Sequence, residues 1–460
     1  MQPILEAANA VISHNKLRNP KNLWSTRNAT NRILSITCSG GDQEAEVAAT
    51  VVQLVKQHTS LRNVAVLYRT HYQSRTLEEA LIHKAIPYKI IGGIRFYERK
   101  EVKDLLAYLR LIVNPFDKIS LLRVINTPSR GLGEKFEEEL LRQWITQPLL
   151  DFKQMLGLMA ETLPPAKKRT VQEFLTLYEQ VSIEQSPSIT LDTIINTIEY
   201  RTYLNATYDP QEAQAKIENV QELIQALVNV EVKYQTQPST GTLLESFLHE
   251  VALLQDVGDG TDQTDCILMM TLHAAKGLEF DTVIMSGLEE GLLPSQKSLN
   301  AHEDLEEERR LMYVGMTRAK ERLILLHAST RYTYGQLTDQ APSRFLGELP
   351  AGLVHELDLA QIPRFQMRSQ LEYWITGRVG VAPTTTYVTT GAKKSVFTPV
   401  FKPSVAHHAM PWYKNQSVMH QKFGTGIVTE VEKAPDDDFY VTALFKSGKK
   451  KILGKFLNPS

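Results

Sequence analysis

The first hundred residues show a regular succession of strand-like and helix-like hydrophobic patterns. Three segments place apolar residues at helical spacing, namely residues 4–12, 44–58 and 76–84. Three others have the alternating or continuous apolar pattern of strands, namely residues 34–37, 64–68 and 88–91. Because strands and helices take turns along the chain, this stretch predicts a parallel α/β sheet.

The pattern changes to helices alone from about residue 101 to about residue 265. The strand pattern returns at residue 266 and continues, with helices, to about residue 350. We therefore predict one α/β domain, residues 1–100 and 266–350, that is interrupted by an all-helical insertion, residues 101–265. Residues 351–410 have no steady period and are rich in Pro, Thr, Val and Gln, which predicts a linker.

The last segment, residues 411–460, has a pattern of its own. Apolar residues alternate with other residues through 439–445, and Gly424, Gly426 and Gly448 mark turns. Short strands with glycine turns in so few residues predict a small β-barrel.

Composition narrows the class of protein without choosing one. The chain of 460 residues has a net charge of -1, so any contact with nucleic acid depends on local clusters of charge. Its two cysteines, Cys38 and Cys266, give no disulfide framework, which fits a reducing compartment. Residues 1–10 lack the pattern of a secretory signal, and no apolar run reaches the length of a membrane span. We therefore expect a cytoplasmic protein without a membrane partner.

One candidate for chemistry is the sequence MTLHAAKGLEF, residues 270–280. An apolar strand leads into a polar loop that contains His273, Gly277 and Glu279, and a second apolar strand follows. Open α/β sheets bind ligands at the ends of their central strands, so these polar groups form a candidate ligand site. The alternative is a strand connector whose charges are merely solvated.

A second candidate is the sequence LEEERRLMYVGMTRAK, residues 305–320. Acidic residues lie at its start and basic residues toward its end, as the dipole of a helix favours. Arg318 follows a glycine and a threonine and precedes a strand, and a guanidinium in that place suits the oxygens of a phosphate. The alternative is an ordinary ion pair at the end of a helix.

Together these two segments closely resemble the fifth and sixth motifs of the UvrD/PcrA/Rep branch of superfamily 1 helicases. Further landmarks follow in family order: AVLYR at 65–69, QSR at 73–75, GGIRFYER at 92–99, NTPSRGLG at 126–133 and PSRFLGELP at 342–350. The resemblance implies that the α/β domain is the second RecA-like motor domain, a P-loop-type fold, and that the helices are the family's mobile inserted subdomain.

The resemblance also assigns roles to single residues. Arg318 is expected to stabilise charge on the γ-phosphate of ATP, as an arginine finger does. Gly277 and Glu279 are expected to line the same nucleotide cleft. Thr271 and His273 are expected to face a single strand of DNA and to contact its backbone.

Two other sites of DNA contact follow from the resemblance. Tyr334 takes the place of the aromatic residue that separates strands, where stacking on bases contributes roughly 1–3 kcal/mol per base. The loop of Arg130, Gly131 and Gly133 resembles one whose backbone amides contact the phosphates of duplex DNA. The alternatives are a hairpin tyrosine packed on its own domain and a simple turn between helices.

The C-terminal segment, residues 411–460, resembles the family's Tudor-like domain, which has an SH3-like barrel. It holds eight lysines against five acidic residues, and three of the lysines are consecutive, at 449–451. Such a patch binds nucleic acid or an acidic protein surface, or is simply solvated. The resemblance implies RNA polymerase as a partner of this domain, besides single-stranded and forked DNA and repair proteins.

The family uses ATP and Mg²⁺, yet this sequence contains no Gly-x-x-x-x-Gly-Lys-Ser/Thr phosphate loop and no acidic strand to hold Mg²⁺. In the family both lie in the first RecA-like domain. We therefore expect a C-terminal portion of a 3′–5′ DNA helicase, acting in repair or replication, that hydrolyses ATP only as part of the complete protein. The alternative is a non-catalytic module that binds DNA and RNA polymerase. We expect no metal site within the chain, and no nuclease-like cluster of acids follows residue 350.

Overall fold

The computed structural model describes most of the chain up to residue 376 and the strands of the C-terminal segment. The described residues are 2–16, 24, 33–236, 241–256, 265–300, 302–333, 336–376, 417–420, 424–433, 439–445, 448–453 and 458–459. They fall into two compact units, residues 1–384 and 385–460. Each unit is described by itself below.

An eight-stranded sheet forms the centre of the first unit. Its strands are β1 (Ile33–Gly40), β2 (Val64–Tyr68), β3 (Tyr88–Ile91), β4 (Ile267–Thr271), β5 (Phe280–Met285), β6 (Ala319–Thr333), β7 (Gln336–Asp339) and β8 (Val354–Asp358). The order is β3-β4-β2-β5-β6-β1-β8, all parallel, and β7 pairs with β6 in the antiparallel sense. The predicted α/β class with a large parallel sheet is confirmed. Strands from both sides of the insertion interleave, since β2 lies between β4 and β5.

Helices cover both faces of this sheet, as they must when a parallel sheet is buried. They are α1 (Gln2–Ile12), α2 (Gly41–Val55), α3 (Ser74–His83), α13 (His302–Thr317), α14 (Arg344–Gly347) and α15 (Arg364–Thr376). The side chains of β2 alternate between the faces: Val64 and Val66 join the core under α2, α3 and α15, while Ala65 and Leu67 join the core under α1 and α13. The continuous apolar run of β2 therefore follows from burial on two sides.

The insertion packs around a core of its own. Its helices are α4 (Lys100–Val113), α5 (Lys118–Val124), α6 (Glu134–Thr146), α7 (Phe152–Ala160), α8 (Pro165–Glu179), α9 (Pro187–Thr197), α10 (Tyr200–Thr207), α11 (Pro210–Thr236) and α12 (Leu243–Asp256). Side-chain caps set two of the helix starts, since the Asp117 and Asp151 carboxylates accept from the amides of Ser120 and Gln154. Aromatic rings fill the centre, where Phe152 meets Tyr178 edge to face at 4.8 Å between ring centroids.

Buried polar contacts join the insertion to the sheet. Arg75 of α3, whose side chain is 2% exposed, pairs with Glu222 of α11 at 2.7 Å. Arg99 donates to the amide oxygen of Asn219 of α11 at 2.6 Å. A buried charge is stable only where it is paired, so these contacts hold α11 in one position against the sheet domain.

The prediction of a linker from residue 351 is wrong for its first part. β8 pairs with β1 in parallel register, with Ile36 opposite Leu357. Helix α15 packs on α2, and Met367 and Leu371 are buried in the same core as β1. A five-residue edge strand carries too weak a periodicity to be seen beside the Pro- and Thr-rich residues that follow it. Residues 377–410 of the predicted linker lie outside the described residues.

The second unit contains an antiparallel sheet with the strand order β12-β11-β10-β9-β13. The strands are β9 (Ser417–His420), β10 (Gly424–Lys433), β11 (Phe439–Phe445), β12 (Gly448–Leu453) and β13 (Asn458–Pro459). Strand β11 has the predicted bounds. The exposed lysines 449–451 lie on β12, which ends the sheet, and charge on such a strand opposes edge-to-edge pairing with other chains. The closure of this sheet into a barrel stays a prediction.

We expect Leu371→Ala to destabilise the first unit by about 2–5 kcal/mol, because it empties a fully buried site between α15 and the sheet. The matched control is Phe365→Ala on the same helix, where the side chain is 80% exposed and the cost is about 0.5 kcal/mol or less. Urea unfolding measures both. Equal, small effects would show that α15 is not part of this core.

Candidate functional site

The polar loop predicted from the sequence is a short crossover between two strands that flank β2. Thr271, at the end of β4, lies opposite Tyr68, whereas Thr282 of β5 lies opposite Val64 at the other end of β2. Residues 272–279 therefore return along the sheet from its carboxyl edge to its amino edge, a distance of about 20 Å. Eight extended residues reach at most about 29 Å, and most of these form turns, so the segment has little slack.

The carboxyl edge holds the two residues predicted to contact DNA. Thr271 is 9% exposed, and its carbonyl accepts from the amide of Ala274, which fixes the first turn of the crossover. The next polar residue, His273, is exposed. Partial burial of the imidazole and the nearby Arg69 cation lower the pKa of His273, whereas the acids of α13 oppose them. At neutral pH this ring is therefore a neutral hydrogen-bonding group.

Arg69 and Glu308 form the main ion pair of this edge. The guanidinium donates to both carboxylate oxygens, with Nη2 to Oε1 at 2.8 Å. Glu308 also accepts from the amide of Ser295 at 3.3 Å and is almost fully buried. The pair ties the end of β2 to α13. Glu308 does not stand out in the sequence, because in a run of three glutamates it looks like any acid at the start of a helix.

The amino edge of the sheet holds Arg318, immediately after α13. Its guanidinium donates to the carbonyls of Val314 at 3.0 Å and Leu278 at 2.9 Å, and to the Thr317 hydroxyl at 3.0 Å. These three acceptors are neutral. They orient the guanidinium without cancelling its charge, which leaves it suited to an anion.

Gly277 and Glu279 lie beside Arg318, on either side of the leucine whose carbonyl accepts from it. Gly277 has a φ of +87°, a conformation that favours glycine, and the space around its Cα is open. Glu279 is exposed and lies 3.5 Å from the Lys320 ammonium. The amide of Phe280 donates to the carbonyl of Arg318 at 2.9 Å, so the two predicted motifs meet at this edge.

Helix α13 spans the two edges and packs on the crossover segment. A Cβ on Gly315 would lie 2.6 Å from Leu272 Cδ2 and 2.7 Å from Met285 Cε. Only glycine permits so close an approach of the helix to the sheet. The crossover is thus held by α13 near both of its ends, at Leu272 and at Leu278.

The loop of the insertion lies between α5 and α6. Arg130 turns inward, where its guanidinium donates to the Val124 carbonyl at 2.7 Å and the Tyr108 hydroxyl at 2.6 Å. Gly131, with a φ of +70°, and Gly133 are exposed, and Gly133 is the N-cap of α6. The loop is therefore a turn between helices that also presents backbone at a helix N-terminus, where anions are favoured.

Three further predictions concern Tyr334, a metal site and a membrane span. Tyr334 is outside the described residues. Where residues are described, no group of three or more His, Cys, Asp or Glu is placed to hold a metal ion. The described helices include none long and apolar enough to cross a membrane.

A large parallel sheet with a helical insertion is consistent with a helicase domain. Comparison with known proteins gives the family. The model of the UvrD-like helicase C-terminal domain matches residues 1–330, and the chain belongs to this family.

Similar proteins include the ATP-dependent DNA helicases PcrA of Leuconostoc citreum, 33% identical over 99% of this chain, and of Bacillus subtilis (strain 168), 34% identical over 98%. DNA helicase II of Escherichia coli (strain K12) is 38% identical over 77% of the chain. The alignments cover 61% and 60% of these two PcrA helicases and 50% of DNA helicase II. The chain therefore spans about three fifths of the former and half of the latter.

We expect Gly315→Val to destabilise the first unit by about 1–3 kcal/mol, because a branched side chain overlaps Leu272 and Met285. Gly347→Ala is the control, since a Cβ there meets nothing within 4 Å. Thermal unfolding of the two variants and the parent chain measures the difference. A Gly315→Val variant as stable as the parent would show that α13 is not packed closely on the crossover.

Proposed function

We propose that this chain is the second motor half of an ATP-dependent DNA helicase that moves 3′ to 5′ and unwinds duplex DNA. One observation carries the proposal. The crossover segment 272–279 follows Thr271, contains His273 near its start and ends beside Arg318. A single short segment therefore connects the edge proposed to hold DNA with the edge proposed to face ATP.

Arg318 is proposed to act as the arginine finger. Its guanidinium is oriented by neutral acceptors, Leu278 and Val314 among them, and so retains its charge for the γ-phosphate. Glu279 and Gly277 line the same wall, where the open space at Gly277 allows a ligand to approach the backbone. The side chains of this chain supply one wall of a nucleotide cleft.

The opposite wall is proposed to come from a RecA-like half that carries a phosphate loop, either on the same polypeptide or on another. ATP supplies the energy of the cycle, and Mg²⁺ neutralises the charge of its phosphates. The sequence of this chain has no phosphate loop, and its described residues offer no cluster of metal ligands. Both groups are therefore assigned to the facing half.

Thr271 and His273 are proposed to contact the backbone of a single strand. His273 is exposed, and its lowered pKa keeps the ring neutral, so it offers hydrogen bonds to the strand rather than a fixed charge. The adjacent Arg69 supplies a cation, although Glu308 balances it. Weak, reversible contacts of this kind suit a protein that moves along its ligand. The 3′–5′ direction rests on the family resemblance alone.

Duplex contacts are proposed for the insertion and for the hairpin of β6 and β7. The exposed backbone of Gly131 and Gly133 at the start of α6 suits the phosphates of a duplex, and Arg130 stiffens this loop from inside. Tyr334, between the paired residues Thr333 and Gln336, is proposed to stack on the terminal bases of a fork.

The C-terminal unit is proposed to be a Tudor-like barrel that contacts RNA polymerase. Its exposed lysines 449–451 on an edge strand are complementary to an acidic protein surface. Action in repair or replication, repair proteins as further partners and a cytoplasmic location belong to the same proposal, and they rest on the family.

We expect Arg318→Ala to lower the kcat of DNA-stimulated ATP hydrolysis by about 10³–10⁵-fold, because the cation that stabilises the transferred phosphoryl group is lost. The assay uses this chain together with its phosphate-loop half. Arg310→Ala is the matched control, since Arg310 lies on α13, the helix that Arg318 follows, and pairs with glutamates of that helix. Affinity for single-stranded DNA, measured by fluorescence anisotropy, should change by no more than a few fold in either variant. Normal ATP hydrolysis by Arg318→Ala would refute the assigned role.

A further inference from the structure

The hairpin of β6 and β7 leaves the sheet at a definite residue. Pairing between β6 and β5 ends at Leu325, and pairing between β6 and β1 ends at Thr330, opposite Gly40. From there to Thr333, β6 pairs only with β7. An isolated two-stranded hairpin is marginally stable in water, so the direction of this one must be fixed where it joins the sheet.

Arg331 is the first residue beyond that last pair with β1. Its Nε donates to Glu289 Oε2 at 2.5 Å, and its Nη2 donates to Glu289 Oε1 at 2.7 Å and to Glu44 Oε2 at 2.5 Å. The Arg331 side chain is 17% exposed, while those of Glu44 and Glu289 are 3% and 0% exposed. Paired hydrogen bonds from a buried guanidinium fix direction as well as distance.

Each of the two carboxylates is itself held by backbone. Glu44, in the first turn of α2, accepts from the amide of Gly287 at 2.7 Å. Glu289, in the segment after β5, accepts from the amide of Ala328 at 2.7 Å. One guanidinium thus joins α2, the segment after β5 and the start of the hairpin. Burial raises the pKa of Glu289, the Arg331 cation opposes this rise, and the nearby Glu44 carboxylate adds to it.

The start of helix α2 also packs closely against the Arg331 guanidinium. A Cβ on Gly41 would lie 2.9 Å from Arg331 Nη1. The returning strand is fixed as well, because the amide of Gln340 donates to the carbonyl of Ser329 at 2.7 Å. The base of the hairpin is therefore enclosed on several sides, whereas Tyr332 and Leu337 farther along are exposed.

We propose that Arg331, through Glu44 and Glu289, is the positioning residue that holds the β6–β7 hairpin in the direction needed to separate DNA strands. The inference rests on the proposed function, which places Tyr334 at the fork. Thr333, the last residue of β6, follows Arg331 by two residues, about 7 Å of strand, so a tilt of about 10° at the base shifts the end of β6 by about 1 Å. Displacements of about 1 Å are enough to cost some 10²-fold in a step that depends on alignment.

The first test measures unwinding of forked DNA and ATP hydrolysis stimulated by single-stranded DNA, using this chain with its phosphate-loop half. Arg331→Gln should lower unwinding about 10-fold or more and leave the ATPase within about two-fold, because the hairpin is not needed to follow a single strand. Arg331→Lys keeps the charge without the paired hydrogen bonds, so its unwinding rate should lie between those of the wild type and Arg331→Gln. Unwinding at the wild-type rate, or an equal fall in both activities, would overturn the proposal.

A milder variant covers the case in which Arg331→Gln fails to fold, since that change leaves two buried carboxylates unpaired. Gly41→Ala keeps every charge but places a methyl group against Nη1 of Arg331. It should therefore also lower the ratio of DNA unwinding to ATP hydrolysis. Arg142→Gln is the control, because it removes an arginine–glutamate pair on α6 in which the arginine side chain is 75% exposed. A folded Gly41→Ala variant with the wild-type ratio counts against the proposal.

Hydrogen exchange on this chain alone separates the hairpin from the helicase activity. In Arg331→Gln or Gly41→Ala, the amides of β7 and of Arg331 to Thr333 should exchange faster, while those of β2 and β5 stay as they are. Unchanged exchange at the hairpin would refute the anchoring role. A wild-type protein that neither unwinds DNA nor hydrolyses ATP, but whose hairpin loosens in the variants, would instead refute the proposed function.

Discussion

Two parallel strands on either side of a third can be joined only by a segment that returns along the sheet. Such a connection commonly takes a dozen residues or more and includes a helix. Here residues 272–279 make the return between β4 and β5 in eight residues without one. The crossover is therefore short, has little slack and is packed against α13. Much of what the structure says about function depends on this constraint, because the segment begins at one edge and ends at the other.

Helix α13 and Arg318, the residue after it, join the two ends of the crossover. Near its start, Glu308 holds Arg69 at the carboxyl edge, and just past its end Arg318 holds the Leu278 carbonyl at the amino edge. Between them, Gly315 lets the helix lie directly on Leu272. Two anchored ends and a close-packed middle leave few ways to move one edge alone. A change at the edge proposed to face ATP thus has a direct mechanical route to the edge proposed to contact DNA, and the reverse holds too.

A buried ion pair plays a comparable role at the hairpin. The Arg331 guanidinium and its two carboxylates join three segments that are distant in sequence. Buried pairs of this kind add little net stability compared with apolar packing, and their better-supported use is to specify one arrangement. The hairpin that leaves the eight-stranded sheet has such a need, because pairing with β7 does not fix its direction.

Sequence patterns predicted the buried strands well and the contacts between distant segments poorly. β2, β3 and β11 have the predicted bounds, because continuous or alternating apolar runs reflect burial directly. Strand β8 and helix α15 were missed, since a short edge strand and a helix with a narrow apolar face resemble the linker predicted around them.

The candidate site divides in the same way. Arg318, Gly277 and Glu279 were predicted from two motifs, and the structure brings these residues together. Glu308 and Arg331 were not singled out, because a glutamate in an acidic run and an arginine between polar residues look solvent-exposed in sequence. Their partners, Arg69 for the one and Glu44 and Glu289 for the other, become apparent only when the chain is folded.

The most direct test of the link between the two edges is hydrogen exchange of this chain with and without a short single-stranded oligothymidine. Protection at residues 271–274 should be accompanied by altered exchange at Leu278 and Phe280, whose amides are hydrogen-bonded at the far end of the crossover, and at Arg318. A change confined to residues 271–274 would contradict the account, since the crossover would then move at one end without the other.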